Sequence, residues 1–208
     1  MKREDWDRRY ASGELPWRDG PHRVLVAEAA DLPPGRALDL ACGEGRNAVW
    51  LLERGWSVLG VDFSRVAIAT ARSRAAEAGL EADFRCADLL EFVPDREAYD
   101  LVIVFYLQLP APERTLVLGR AVQAVAPGGT VLVLGHDADN ITDGVGGPSD
   151  PSVLYTPDDL VADLDGLEIE RAERLLREVE NADRPAIDAF VRAHAEGARG
   201  RGSLAARR

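Results

Sequence analysis

Ten consecutive residues, Asp39-Leu40-Ala41-Cys42-Gly43-Glu44-Gly45-Arg46-Asn47-Ala48, join a short apolar run to a helical pattern. Glycines at such a junction let the backbone turn sharply and let a ligand approach the main chain. Asp62 closes the next apolar run, 17 residues beyond Gly45, where a carboxylate can accept hydrogen bonds from the two hydroxyls of a ribose. Together the loop and the acid predict an adenosine-containing ligand. Asp88, within Cys86-Ala87-Asp88-Leu89, follows a third run. There its carboxylate can hold the exocyclic amine of adenine while Leu89 packs on the ring; a simple turn aspartate is the plainer alternative.

The other groups with chemistry to offer cluster later in the chain. Phe105, Tyr106 and Leu107 end a fourth apolar run and are expected to line the reacting centre. His136-Asp137 ends a fifth. His136 is taken as the one histidine near the predicted site, and its ordinary pKa lies closest to neutrality. Tyr106 and His136 are therefore the candidate catalytic residues. Arg46, Tyr106, His136, Asp137 and Tyr155 are the candidates for holding a second reactant, under a roof formed by the long Gly- and Asp-rich segment from Asp137 to Tyr155. Near the start, Trp6, Arg9, Tyr10, Pro16 and Trp17 place aromatic rings in a mostly charged stretch. Such rings serve as a packing clamp or close over a cationic ligand.

The elements that must position these groups follow from the apolar pattern. Strands are predicted at residues 36–41, 57–62, 82–86, 101–106 and 130–134. Helices lie between them, one opened by Ser64 at its N-cap and ending near Gly79. The run from Leu101 to Tyr106 has no polar alternation, so both its faces must be covered, as in the middle of a parallel sheet. The next helix is predicted to carry Leu118, Val122 and Val125 on one face and to stop at Pro127, before Gly128-Gly129 turns into a strand. Thr156-Pro157-Asp158-Asp159 has the cap, proline and acid of a helix start. Leu167 and Ile169 alternate with glutamates, and Ala186 to Val191 is a second strand, predicting an antiparallel hairpin at the edge of the sheet. The expected fold is α/β: a doubly wound, mostly parallel, seven-stranded Rossmann-like sheet with an antiparallel C-terminal hairpin. One domain is expected over residues 1–196, with cap helices in 1–35 and a disordered tail at 197–208.

Composition removes several competitors. The chain has 208 residues and a formal charge of −11, which opposes binding to phosphate backbones or anionic membranes. No apolar run approaches the ~20 residues of a membrane span, so a soluble, cytoplasmic protein is expected, as a monomer or homodimer. Lys2 is the only lysine. A phosphate-binding Gly-Lys-Ser/Thr loop, a Schiff-base lysine and a Tyr-x-x-x-Lys pair are therefore all excluded. Two cysteines and three histidines offer neither a disulfide framework nor a zinc site, and no metal is expected. Gly43-Glu44-Gly45-Arg46-Asn47-Ala48 also fits the dinucleotide pattern G-x-G-x-x-A, so an NAD(P)-dependent oxidoreductase remains a competitor, as does a non-catalytic binding protein.

Five motifs in order tip the balance. Asp39-x-Ala41-x-Gly43-x-Gly45, Gly60-Val61-Asp62-Phe63-Ser64, Ala87-Asp88-Leu89, Tyr99-Asp100-Leu101 and Pro127-Gly128-Gly129 together resemble the class I S-adenosylmethionine-dependent methyltransferases, with Ala41 in place of the usual first glycine. The resemblance covers residues 6–191. It implies S-adenosylmethionine as cofactor and S-adenosylhomocysteine as product. The cofactor-binding positions it implies are Trp6, Arg9, Tyr10, Trp17, Asp39, Ala41, Gly43, Gly45, Asn47, Asp62, Phe63, Ser64, Asp88, Leu89 and Phe105. Cys42-Gly43-x-Gly45-Arg46-Asn47 is similar to the tellurite-resistance methyltransferases. Trp6-Asp7-Arg8-Arg9-Tyr10 with Pro16-Trp17 is similar to the thiopurine S-methyltransferase group. Those groups imply a small-molecule acceptor with a soft nucleophile: a thiol, selenium or tellurium species. The fourth strand lacks the Asn/Asp-Pro-Pro-Tyr of enzymes that methylate base amino groups, so nucleic acid is not an expected partner.

Overall fold

The computed structural model describes residues 2–13 and 20–197. Two helices, α1 (Arg3–Ser12) and α2 (Arg23–Ala29), precede a seven-stranded sheet. Its strands are β1 (Arg36–Leu40), β2 (Ser57–Asp62), β3 (Asp83–Cys86), β4 (Tyr99–Phe105), β5 (Val125–His136), β6 (Glu168–Arg177) and β7 (Ala186–His194), in the order β3-β2-β1-β4-β5-β7-β6. β3, β2, β1, β4 and β5 are parallel to one another, and β7 lies antiparallel between β5 and β6. The crossover helices are α3 (Arg46–Leu52), α4 (Arg65–Glu77) and α5 (Ala111–Ala124). A short α6 (Asn140–Asp143) and α7 (Pro157–Asp163) follow β5. This is the doubly wound sheet the sequence pattern predicts, with β6 at the edge. No helix among the described residues is long and apolar enough to cross a membrane.

Strand alternation divides the core in two. Leu101, Ile103 and Phe105 of β4 face the layer of α2, α3 and α4, packing with Leu25, Trp50, Ile68 and Phe190. Val102 and Val104 face α5 and α7, with Leu118, Val131 and Leu160. Every β4 side chain from Leu101 to Phe105 is buried, which is why that run shows no polar alternation. Ser64 caps α4 by accepting from the Ala67 N–H at 3.1 Å. Thr156 and Asp159 form a reciprocal capping box at α7.

One boundary differs from the pattern. The helix predicted to carry Val125 and stop at Pro127 ends at Ala124. Val125 is extended (φ −68°, ψ 134°) and pairs with Tyr99 as the first residue of β5. Proline disfavours the helical region for the residue before it, and the chain leaves the helix two residues ahead of Pro127. Pro127-Gly128-Gly129 thus lies inside β5, at a register shift against β4. A Cβ on Gly129 would stand 2.8 Å from Val125 Cγ2 and 3.0 Å from Tyr99 O. Of the tail expected to be disordered, only Gly197 falls among the described residues.

Ionic contacts fasten the helices to the sheet. Glu28 of α2 pairs with Arg171 of β6 and, at 3.1 Å, with Arg192 of β7. Arg114 of α5 meets Asp163 of α7 at 2.5 Å, both side chains under 10% exposed. In the turn after β1, Gly45 (φ +75°) lets α3 start against α4. A Cβ there would stand 2.8 Å from the Ala71 Cβ and 3.1 Å from Phe84 Cζ. Gly45→Ala is expected to cost about 2–4 kcal/mol, combining overpacking with left-handed backbone strain. Urea unfolding of the variant measures it, and a loss under about 1 kcal/mol would contradict this packing.

Candidate active site

The turn after β1 and the turn after β2 meet at one carboxylate. Asp62, 5% exposed, accepts from the Gly43 N–H at 3.0 Å through Oδ2 and from the Ser64 N–H at 2.8 Å through Oδ1. Burial pushes its pKa up, and these backbone hydrogen bonds pull against that. Ala41, Gly43 and Gly45 all have positive φ (62°, 53° and 75°). Ala41 therefore holds a conformation costing a β-carbon about 1–2 kcal/mol, where the resemblance has glycine. Beneath the turn, Asp39 is 2% exposed and its Oδ2 has no hydrogen-bond partner. Burial, then the neighbouring Asp62, raises the Asp39 pKa well above the carboxylate range. An unsatisfied buried acceptor beside a strained glycine turn fits a ligand that brings a hydrogen-bond donor, as an amino acid's ammonium does.

Helix α1 lies over this turn. Its Asp7 accepts from the Ser64 hydroxyl at 2.5 Å. The Tyr10 hydroxyl comes within 3.0 Å of where a Cβ on Gly43 would stand. Burial, with Asp62 close by, keeps that phenol protonated. Trp6 packs on Tyr10 with ring centroids 5.7 Å apart, and exposed Arg9 stands over Trp6 at 5.0 Å. Trp17 lies outside the described residues. Asp88, half-buried, follows β3; its Oδ1 accepts from the Leu90 N–H at 2.9 Å, an Asx turn that leaves its other oxygen for a ligand. Leu89 is buried, and Arg120 holds its carbonyl at 2.8 Å. Phe63 is half-buried between Asp62 and Ser64.

The ends of β4 and β5 gather a second, polar cluster. Tyr106, at φ +57°, donates its hydroxyl to Asp188 Oδ2 at 2.9 Å and lies 3.1 Å from His22 Nε2. Asp188, 1% exposed, also accepts from Arg177 Nε at 2.7 Å. His136 Nδ1 stands 3.4 Å from Asp188 Oδ1. The His136 and Tyr106 rings are 5.1 Å apart, and Phe105 meets His22 edge-on at 5.6 Å. Burial raises the Tyr106 pKa, so its phenol stays neutral. Burial also lowers the His136 pKa, outweighing Asp188, so that imidazole stays neutral as well.

His136 is thus not the only histidine here. His22, Asp188 and Arg177 are the members that spacing alone missed. Each comes from a segment far from Tyr106 in sequence, and the one legible signal was an acid, Asp188, within an apolar strand. Other expected residues are occupied elsewhere. The Asn47 Oδ1 accepts from the His22 N–H at 2.8 Å. The Ser64 hydroxyl serves Ala67 and Asp7. Asp137 is fully buried, with Oδ1 on Arg174 at 3.0 Å. Tyr155 is 2% exposed, its ring against Gly135 and its hydroxyl 3.4 Å from Leu107 O. These last two brace the segment after β5, which Gln108 also ties down through the His136 N–H and Val153 O. Arg46 begins α3 half-buried, with burial lowering its pKa.

Comparisons with known proteins give the family and the fold. Residues 37–129 match the methyltransferase domain family. The 2-heptyl-1-hydroxyquinolin-4(1H)-one methyltransferase of Mycobacteroides abscessus is 31% identical over 160 residues, 70% of each chain. A demethylmenaquinone methyltransferase of Thermus thermophilus is 37% identical over 123 residues, 58% of this chain and 54% of that one. The protein solved in connection with conversion of a disulfide bond into a thioacetal group during echinomycin biosynthesis shares the fold. Its TM-score is 0.77 at 24% identity, covering 94% of this chain and 92% of that one. The chain spans about half the length of the first curated relatives it matches. It belongs to the class I S-adenosylmethionine-dependent methyltransferases, and the oxidoreductase alternative is not favoured.

The environment of His22 makes a prediction of its own. Burial, then Arg46, lowers its pKa from 6.5 to about 4. Between those values the unfolded chain binds a proton that the folded chain refuses, so stability falls as the pH drops through that window. From pH 7 to pH 5 this contributes a loss of about 2 kcal/mol. Urea unfolding at both pH values should show His22→Asn, which keeps a helix-capping oxygen, losing about that much less than the parent chain. Equal losses would show that His22 is not a buried neutral imidazole.

Proposed function

We propose that the chain transfers a methyl group from S-adenosylmethionine to a small molecule. The observation that carries this is the pairing of a glycine turn on Asp62 with a polar cluster at the ends of β4 and β5, one able to hold the nucleoside and the other the acceptor. In this reading Asp62 takes the ribose, and Asp88 with Leu89 takes the adenine. The Ala41–Gly45 turn and Asp39 take the amino-acid end, and Tyr10 with Trp6 covers the sulfonium. Bound there, the cofactor supplies an electrophilic methyl group. What remains for the chain is to align the acceptor and exclude water, which Phe105, Tyr106 and the segment after β5 are placed to do.

The acceptor is proposed to be a soft nucleophile, a thiol or a selenium or tellurium species, following the subgroup motifs around Cys42 and Trp6. A neutral imidazole at the same end favours an acceptor that must lose a proton. A thiol satisfies both readings; a hydroxyl satisfies the second, as a hydroxyquinolone relative illustrates. A tellurium or selenium oxyanion has no need of that base.

Calorimetric titration with S-adenosylhomocysteine, S-adenosylmethionine, NAD and NADP tests the cofactor. Binding of the first two alone is expected; binding of NAD or NADP instead would overturn the reading. Asp62→Ala should raise the Kd for S-adenosylhomocysteine about tenfold or more through lost charge-assisted hydrogen bonds. Unchanged affinity in the folded variant would remove Asp62 from the ribose site. With binding established, thiophenol, phenol, selenite and tellurite compete as acceptors. Turnover of none would leave a cofactor-binding protein without catalysis.

A further inference from the structure

We propose that Asp188 is the positioning residue of this site: it fixes His136 with the proton on Nδ1, leaving the Nε2 lone pair to take a proton from the methyl acceptor. This rests on the small-molecule methyltransferase reading and adds residues on the antiparallel β-strands to it.

The geometry begins with strand register. His136 of β5 and Asp188 of β7 are direct antiparallel partners, so their side chains lie on the same face of the sheet. His136 Nδ1 is shut off from solvent and makes no hydrogen bond, and the Asp188 Oδ1 stands 3.4 Å away. At that separation the two are not aligned for a hydrogen bond, as catalytic contacts often are not before a reactant closes them. A buried nitrogen facing a carboxylate oxygen is favourable only as a donor, because two lone pairs would repel. His136 Nε2 has no partner among the described residues. Gly147 fixes the ring plane: a Cβ there would stand 2.9 Å from His136 Cγ and Nδ1.

The rest of the cluster keeps Asp188 in its role. Arg177 of β6 donates through Nε at 2.7 Å, balancing the buried charge. Tyr106, from the end of β4, donates to the same oxygen at 2.9 Å. His22 reaches Tyr106 through Nε2 at 3.1 Å, and its Nδ1 accepts the Val24 N–H at 3.3 Å, so His22 carries its proton on Nε2. The two histidines thus hold opposite tautomers around one carboxylate. Asp188, Arg177 and Tyr106 are the charged and titratable groups facing His136 from the neighbouring elements.

The step is a proton transfer. The bond between hydrogen and the acceptor's sulfur or oxygen breaks, its electron pair stays on that atom, and a new N–H bond forms at Nε2. The resulting imidazolium is stabilised by Asp188 and returns its proton to water. The role of Asp188 in this step is to orient the ring, as the acid of a triad does.

Nitrogen-15 NMR of the histidine side chains tests this without any acceptor, because the two nitrogens of each ring have distinct shifts in each tautomer. The three histidines, His22, His136 and His194, are assigned by single glutamine variants. In the unmodified chain at pH 7, His136 should appear as the Nδ1–H tautomer and His22 as the Nε2–H tautomer. Asp188→Asn should move His136 towards Nε2–H and leave His22 unchanged. Finding His136 as Nε2–H or as imidazolium in the unmodified chain would overturn the proposal, as would an Asp188→Asn spectrum identical to it. Should Asp188→Asn fail to fold, the spectrum of the unmodified chain decides alone. Titration of the same sample with S-adenosylhomocysteine separates the two readings. Binding with the wrong tautomer sinks this proposal only, whereas no binding sinks the methyltransferase reading.

Discussion

A single buried carboxylate couples the two turns that follow β1 and β2. β1 and β2 are neighbouring parallel strands, so their following turns emerge side by side at one edge of the sheet. Asp62 bonds the first turn at Gly43 and its own turn at Ser64. Burying that charge is costly unless its oxygens are satisfied, and the two N–H groups supply what water would have. Both turns are thereby held in one relative position. The same bond to Ser64 orders the N-cap of α4, whose hydroxyl then reaches Asp7 of α1. Helix, turn and strand are thus linked through atoms of one side chain and its neighbour.

The cluster at the ends of β4 and β5 solves the same problem with different partners. Asp188 is as buried as Asp62, yet its partners are side chains: Arg177 and Tyr106, with His136 close by but not hydrogen-bonded. A guanidinium is paired with the aspartate, while burial keeps both histidines neutral. Side-chain donors can rearrange where backbone donors cannot. The Asp62 side is thus tied by main-chain donors, and beside Asp188 the His136 Nε2 has no partner among the described residues.

That difference also explains what was legible in the sequence. The glycine turn, Asp62 and Ser64 announce themselves because their roles are local: a strand end, a sharp turn and a helix cap fall within a few residues of each other. The parallel strands and the edge hairpin were legible for the same reason, through continuous or alternating apolar runs. The bond from the His22 N–H to Asn47 was not legible because the two lie 25 residues apart, and no spacing rule connects them. Asp137 and Tyr155 looked like lining residues of a long loop. Their burial follows from Arg174 on β6 and the space beside Gly135, neither visible without the tertiary fold. The end of α5 was placed late because helical periodicity continues through Val125, while the backbone restriction set by Pro127 acts upstream of the proline itself.

His22, Asp188 and Arg177 were invisible for a deeper reason. Asp188 and Arg177 meet Tyr106 because β7 inserts antiparallel between β5 and β6, setting His136 opposite Asp188 and bringing Arg177 alongside, while His22 arrives from the N-cap of α2, held by Asn47. A one-residue slip of β7 would turn Asp188 to the other face of the sheet and pull the cluster apart. The long antiparallel pairing, with Phe190 and Val191 buried on opposite faces, is what forbids that slip. Hydrophobic register on the last two strands therefore sets which side chains meet at Tyr106. Substitutions deep in that hairpin, far from any ligand, should alter acceptor chemistry while leaving the Asp62 side of the site intact.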